Sequence, residues 1–280
     1  MTTPVPGLPP SRAASSAILL SRYRSTQATI AERVANAIVG LWNHVINPAK
    51  FAETWEQLNP VVQGIIETHY QMSAAEAAQF YANSRVLAGF PAVHVPGKDL
   101  AADYLDRVVQ SMGQGQFFHY LKEAEPDQAS TMARDGLRGA GTRMTLLGGR
   151  DTITQAAVND PVADGWERVI TAGACGFCSM LAGRGGVYSE KSVNFRAHDH
   201  CHCVARPVFQ GQKSVNADLS EAWGEVTKGH KGAAARAAWE TYWSSHGGPE
   251  SGSPETATEK GTGNAPVAVQ RFEQPAIPNQ

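Results

Sequence analysis

Hydrophobic positions recur at helical spacing through most of the first 160 residues. From Ile30 the apolar side chains Val34, Ala37, Ile38, Leu41 and Val45 trace one stripe three or four residues apart, which predicts an amphipathic helix ending before Pro48. A second stripe of Val61, Val62, Ile65 and Ile66 follows Asn59-Pro60, where proline suits a first helical turn. Ser73-Ala74-Ala75-Glu76 has capping-box spacing and predicts a new helix from Ser73 to about Ala88. Phe90 to Gly97, with two prolines, reads as an extended connection. Lys98 or Asp99 then opens a helix carrying Leu100, Tyr104, Leu105, Val108 and Val109, ending at Met112-Gly113. Gly115 to Gly149 continues as helical pieces; its interior glycines Gly136, Gly139 and Gly141 each cost about 1 kcal/mol relative to alanine.

The pattern changes after Asp160-Pro161. Trp166 to Thr171 reads as a short strand, Cys175 to Ala182 as a turn into a helix, and Val187-Tyr188 and His200 to Phe209 as further strands. Leu219 to Trp223 and Ala233 to Trp243 are again helical. The predicted class is mainly α: a flexible arm (1–14), a helical N-terminal domain (15–160), a small α+β Cys/His subdomain (161–210), a helical extension (211–246) and a disordered C-terminal tail (247–280). Order is expected to begin near Ala17.

Composition narrows the function classes. Twenty-four Lys and Arg against 26 Asp and Glu supply no global basic field for coating nucleic acid. Apolar runs are far shorter than the roughly 20 residues of a membrane span, and the N-terminus lacks the features of a secretory signal, so a soluble chain made in the cytosol is expected. Arg134, Arg138 and Arg143 form a modest basic face, read as a solvated helix side with DNA contact left open. Trp223, Trp239, Tyr242 and Trp243 could dock a partner or pack a helix onto the body, the second being favoured.

All four cysteines cluster. Cys175-Gly176-Phe177-Cys178 lies 22 residues ahead of Cys201-His202-Cys203, which His198-Asp199-His200 precedes. A C-x-x-C knuckle turns two thiolates toward one Zn²⁺, and a second pair can complete a tetrahedron. In an extended stretch Cys201 and Cys203 share a face opposite His198, His200 and His202, so the candidate ligands are Cys175, Cys178, Cys201 and Cys203, with His198, His200 or His202 as alternatives. A structural zinc that staples a unit of about 45 residues is favoured, because so small a unit buries little surface alone. Disulfides and reactive thiols are the competing readings. A thioredoxin-type redox pair lacks its βαβ setting. A zinc deaminase lacks H-x-E and has Ala174 where proline would stand. Gly97-Lys98-Asp99 lacks the rest of a phosphate loop, and no G-x-S-x-G elbow occurs.

Trp166-Glu167-Arg168, Ala174 to Cys178, Leu181-Ala182-Gly183, Phe195, and His198 to Cys203 running on to Arg206-Pro207 resemble the C-terminal signature of MuF-like minor head proteins of tailed bacteriophages. The resemblance is greatest to actinobacteriophage members, some of which are labelled capsid maturation protease. It implies a role in head morphogenesis, with few copies in the capsid interior of a virion assembled in the host cytoplasm. The implied partners are the portal protein, the major capsid protein and a scaffold, with no membrane. The protease alternative requires a nucleophile and a base, for which the candidates are Cys175 or Ser179 with His198 or His200. Asp199 points away from its neighbours in a strand and is poorly placed to orient them, so a structural role is favoured over proteolysis.

Overall fold

The computed structural model describes residues 11–171, 174–184, 195, 197–199 and 201–246. Helix α1 (Arg12–Val45) starts within the stretch expected to be flexible, because the Ser11 hydroxyl caps it by accepting from the Ala14 amide at 3.2 Å. Its buried stripe runs Tyr23, Gln27, Ile30, Ala31, Val34, Ile38 and Trp42. A 3₁₀ turn (Pro48–Lys50) joins it to α2 (Phe51–Leu87).

Helix α2 corrects two predicted boundaries. Pro60 lies inside it and opens no helix. Ser73 does not cap a new helix: it is buried in mid-helix, and its hydroxyl donates to Gln27 Oε1 at 2.6 Å while accepting from the Gly149 amide at 2.9 Å. The side chain that signalled a helix start thus links three helices.

Phe90 to Gly97 is free of helix and strand, as its prolines predict. Helix α3 (Ala102–Gln110) begins later than expected and does not stop at Met112-Gly113. It runs through a π-helical turn (Ser111–Gly115) into α4 (Gln116–Tyr120), and Gly113 lies where any Cβ would overlap the Trp55 indole. Helix α5 (Pro126–Asn159) is continuous where separate pieces were predicted. Its glycines face other helices: a Cβ on Gly141 would meet Ile38, and one on Gly148 the Tyr70 carbonyl. Close packing by α1 and α2 offsets the weak intrinsic helicity of this sequence.

Two contiguous cores result. One joins Trp42, Phe51, Trp55 and Ile66 to Phe117, Leu137 and Met144, with the Phe51 and Phe117 rings stacked 3.7 Å apart. The other joins Tyr23, Phe80, Tyr81, Ile153 and Ala157 to Trp166, Val204, Phe209 and three of the cysteines. Strands β1 (Ala163–Val169) and β2 (Val204–Phe209) pair antiparallel from Val169 opposite Val204 to Ala163 opposite Phe209. Strand β2 starts four residues after the predicted His200, and the predicted strand at Val187-Tyr188 lies outside the described residues.

Helix α6 (Gly176–Gly183) follows Cys175, and α7 (Ala217–Val226) and α8 (Gly232–His246) cover it. Trp239 is buried with its indole N–H on Ser179 Oγ at 2.9 Å, and Trp243 donates to the Ala174 carbonyl at 2.8 Å, so this helix packs onto the body. The mainly α class with a small α+β unit stands; residues 1–10 of the predicted arm and the predicted tail, 247–280, lie outside the described residues. Among the described residues no helix is long and apolar enough to cross a membrane.

Candidate metal centre

Antiparallel pairing places the end of β1 beside the start of β2, so the residues just after one and just before the other are neighbours. Cys175 stands at the N-cap of α6, with extended backbone, and its sulfur accepts the Cys178 amide at 3.4 Å. Cys178, one turn on, is buried. On the opposite side Cys201 and Cys203 are buried while His202 between them is exposed, the alternation expected of an extended segment.

The sulfurs converge. Cys178 Sγ lies 3.5 Å from Cys201 Sγ, and His198 Nε2 lies 2.9 Å from Cys175 Sγ and 3.7 Å from Cys178 Sγ. Cys175, Cys178 and His198 form one group able to hold a metal ion, and Cys178, Cys201 and Cys203 another, with Cys178 common to both. All four cysteines are free thiols. Zinc–sulfur bonds of about 2.3 Å in a tetrahedron separate sulfurs by about 3.8 Å, so the Cys178–Cys201 spacing and the soft donor set fit Zn²⁺. His200 lies outside the described residues, and exposed His202 belongs to neither group.

Electrostatics divide the four thiols, lowering Cys175 and Cys201 and raising Cys178 and Cys203. Hydrogen bonding to Cys178 and then to His198 outweighs burial and draws the Cys175 thiol down to about 4. The Cys175 contact raises His198 to about 9 against its own burial. Hydrogen bonds from Cys178 and Cys203 hold Cys201 far below the ordinary thiol range, while hydrogen bonding to Cys175, Cys201 and Cys203, with burial, keeps the proton on Cys178.

Arginines brace this cluster. Arg150 of α5 is fully buried and donates through Nε to the Cys203 carbonyl at 3.0 Å and through Nη2 to the Cys201 carbonyl at 2.6 Å. Two helical turns earlier, Arg143 holds the Asp199 carboxylate at 2.7 Å. Arg168 of β1 points Nη1 at Cys178 Sγ, 3.7 Å away, and both Arg150 and Arg168 lie over the Phe195 ring. Arg143 is therefore no part of a free basic face, and neighbouring Arg134 pairs with Asp135. Sequence reasoning passed over Arg150, because nothing in its local sequence marks what it faces.

The protease candidates fare unevenly. Ser179 is fully buried, donating to the Gly176 carbonyl and accepting from Trp239, so substrate has no path to its oxygen. Asp199 is engaged by Arg143, and His198 Nδ1 meets the Asp199 backbone carbonyl, at 2.6 Å, rather than a carboxylate among the described residues. Cys175 and His198 form a nucleophile–base contact, at 2.9 Å.

A family model described as VG15 protein matches residues 15–243. No curated protein matches the chain. No solved structure matches it either.

Proposed function

From the premise that the chain belongs to the VG15 protein family, a phage-associated family, we propose that it is a minor head protein of MuF-like type that acts in procapsid assembly near the portal. The long helices offer contact surface to the portal and the major capsid protein. In this reading the cysteine cluster is a structural zinc site held by Cys175, Cys178, Cys201 and Cys203, with His198 as the further donor within reach. When bound, zinc supplies a rigid crosslink between the two arms of the small unit. The observation that carries the structural reading is the bracing of these donors: Arg150 fixes the backbone of both Cys201 and Cys203, and Arg143 fixes Asp199 between the histidines. A ligand cage is built this way, whereas a catalytic cleft must leave its nucleophile open to substrate.

Intact-mass measurement on purified particles tests the role. The expected result is an uncleaved chain retained in few copies and enriched in portal-containing subassemblies. Normal assembly and packaging by phage lacking the gene would overturn it. One contact favours the capsid maturation protease instead, the half-buried Cys175 sulfur 2.9 Å from His198 Nε2. That reading requires Cys175→Ser and His198→Ala to abolish trimming of head proteins; the structural reading expects trimming to persist wherever particles assemble.

A further inference from the structure

We infer that the cluster takes zinc as a tetrathiolate of Cys175, Cys178, Cys201 and Cys203, that Arg150 is the positioning residue that neutralises and orients it, and that His198 stays outside as a hydrogen-bonding partner of Cys175. This inference deepens the zinc reading above and rests on it.

Charge is the first argument. Four thiolates around a divalent ion carry a net charge of about −2, three thiolates and an imidazole about −1. Arg150 is 1% exposed, its two hydrogen-bond acceptors are neutral carbonyls, and its Nη1 has no hydrogen-bond partner among the described residues. A guanidinium buried in this way needs a nearby anion. The sulfurs of Cys178, Cys201 and Cys203 would provide it once they hold the metal, and Arg168 brings a second cation to within 3.7 Å of Cys178 Sγ. Two guanidiniums stacked on Phe195 match the charge of a tetrathiolate and exceed that of a three-thiolate centre.

Geometry is the second. Co-ligation by sulfur and imidazole places their donor atoms about 3.6 Å apart. His198 Nε2 lies 2.9 Å from Cys175 Sγ, a hydrogen-bond distance, and the residue is exposed at the rim while Cys178, Cys201 and Cys203 are buried and grouped; Cys175 Sγ sits on the other side of Cys178, and the metal would draw it toward Cys201 and Cys203. Arg150 holds the carbonyls of Cys201 and Cys203 together, which aims both sulfurs at Cys178. Arg150 therefore acts on the metal through the ligand backbone and through charge.

The test uses the full chain, with elemental analysis for zinc and the absorption spectrum after Co²⁺ replacement. One metal per chain is expected, with charge-transfer intensity of four cobalt–sulfur bonds. His198→Ala should keep both, whereas Cys203→Ser should lose the metal or fall to three sulfurs. Arg150→Met should weaken zinc affinity by about 10- to 100-fold in competition with a chromophoric chelator, at unchanged helicity, and Arg150→Lys should recover much of that loss. Metal loss in His198→Ala with full retention in Cys203→Ser would overturn the ligand set while leaving the zinc reading intact. Unchanged affinity in Arg150→Met would overturn the positioning role. A wild-type chain that takes up neither Zn²⁺ nor Co²⁺ would overturn the zinc reading itself.

Discussion

At Gly148 the absence of a side chain is a contact requirement: the space for a Cβ is filled by the backbone carbonyl of Tyr70, which cannot move without bending α2. Gly136 differs, since a Cβ there would meet only the flexible end of Met112 at 3.5 Å. Gly148→Ala should therefore destabilise the protein by about 1–3 kcal/mol through overpacking, while Gly136→Ala should be neutral or stabilising by up to about 1 kcal/mol through helix propensity. Urea-unfolding midpoints check both. Propensity alone made this glycine-rich stretch look like broken helical pieces. The reason it is one helix lies in residues 70 or more positions away, so a local window could not display it. At Ser179 the expected outcome separates chemistry from packing: Ser179→Ala removes the Trp239 hydrogen bond, should cost about 1 kcal/mol, and should leave head-protein trimming unchanged on gels of purified particles.

Element boundaries show the same division between local signal and distant cause. The apolar stripes located the helices, but Pro60 and Ser73 each suggested a boundary that α2 runs through, because Ser73 spends its hydroxyl on Gln27 and Gly149 rather than on its own helix. The far end of α2 is tied to the end of α5 by charge. Arg85 Nε meets Asp160 at 2.8 Å, and Tyr81 donates its hydroxyl to the same carboxylate at 3.1 Å. Burial pushes the Asp160 carboxyl up, but bonds from Arg85, the Val162 amide and Tyr81 together outweigh it and hold the group below its ordinary value. A carboxylate lowered in the folded state stabilises the fold above its unfolded pKa of about 3.9, and that contribution is lost as pH falls through the folded value. Stability should thus decline on acidification below about pH 5, and Asp160→Asn should reduce stability at neutral pH while flattening this acid limb. Denaturant midpoints measured from pH 3 to 7 check the sign.

Across the whole molecule, α5 carries the connection between scaffold and site. Its first half packs into the core with Trp42, Trp55 and Ile66, and its second half shares the core that contains Trp166, Phe209 and the cysteines. The cysteine cluster was legible in sequence because a knuckle and a second pair fall within 29 residues, and the structure brings them together. The arginines that brace them were not, since Arg143 and Arg150 reach the site from more than 50 residues upstream, and spacing on a helix says nothing of what it faces. This arrangement predicts how metal loss would spread. If the proposed zinc is removed by a chelator, the Cys175 and Cys201 arms lose their crosslink, and Arg150 keeps a buried charge beside sulfurs that no metal holds in place. Residues 174–184 and 197–209 should then exchange their amide hydrogens faster, together with α8, which rests on α6 through Trp239 and Trp243. The amides of α1, α2 and the first half of α5 should stay protected, because the Phe51 and Trp55 core touches none of the ligands. Hydrogen exchange of the full chain before and after chelation measures this directly. A rise confined to the cysteine arms and α8 would fit a locally braced cage, a uniform rise would mean that both cores unfold as one unit, and an unchanged pattern would remove the metal from any account of stability.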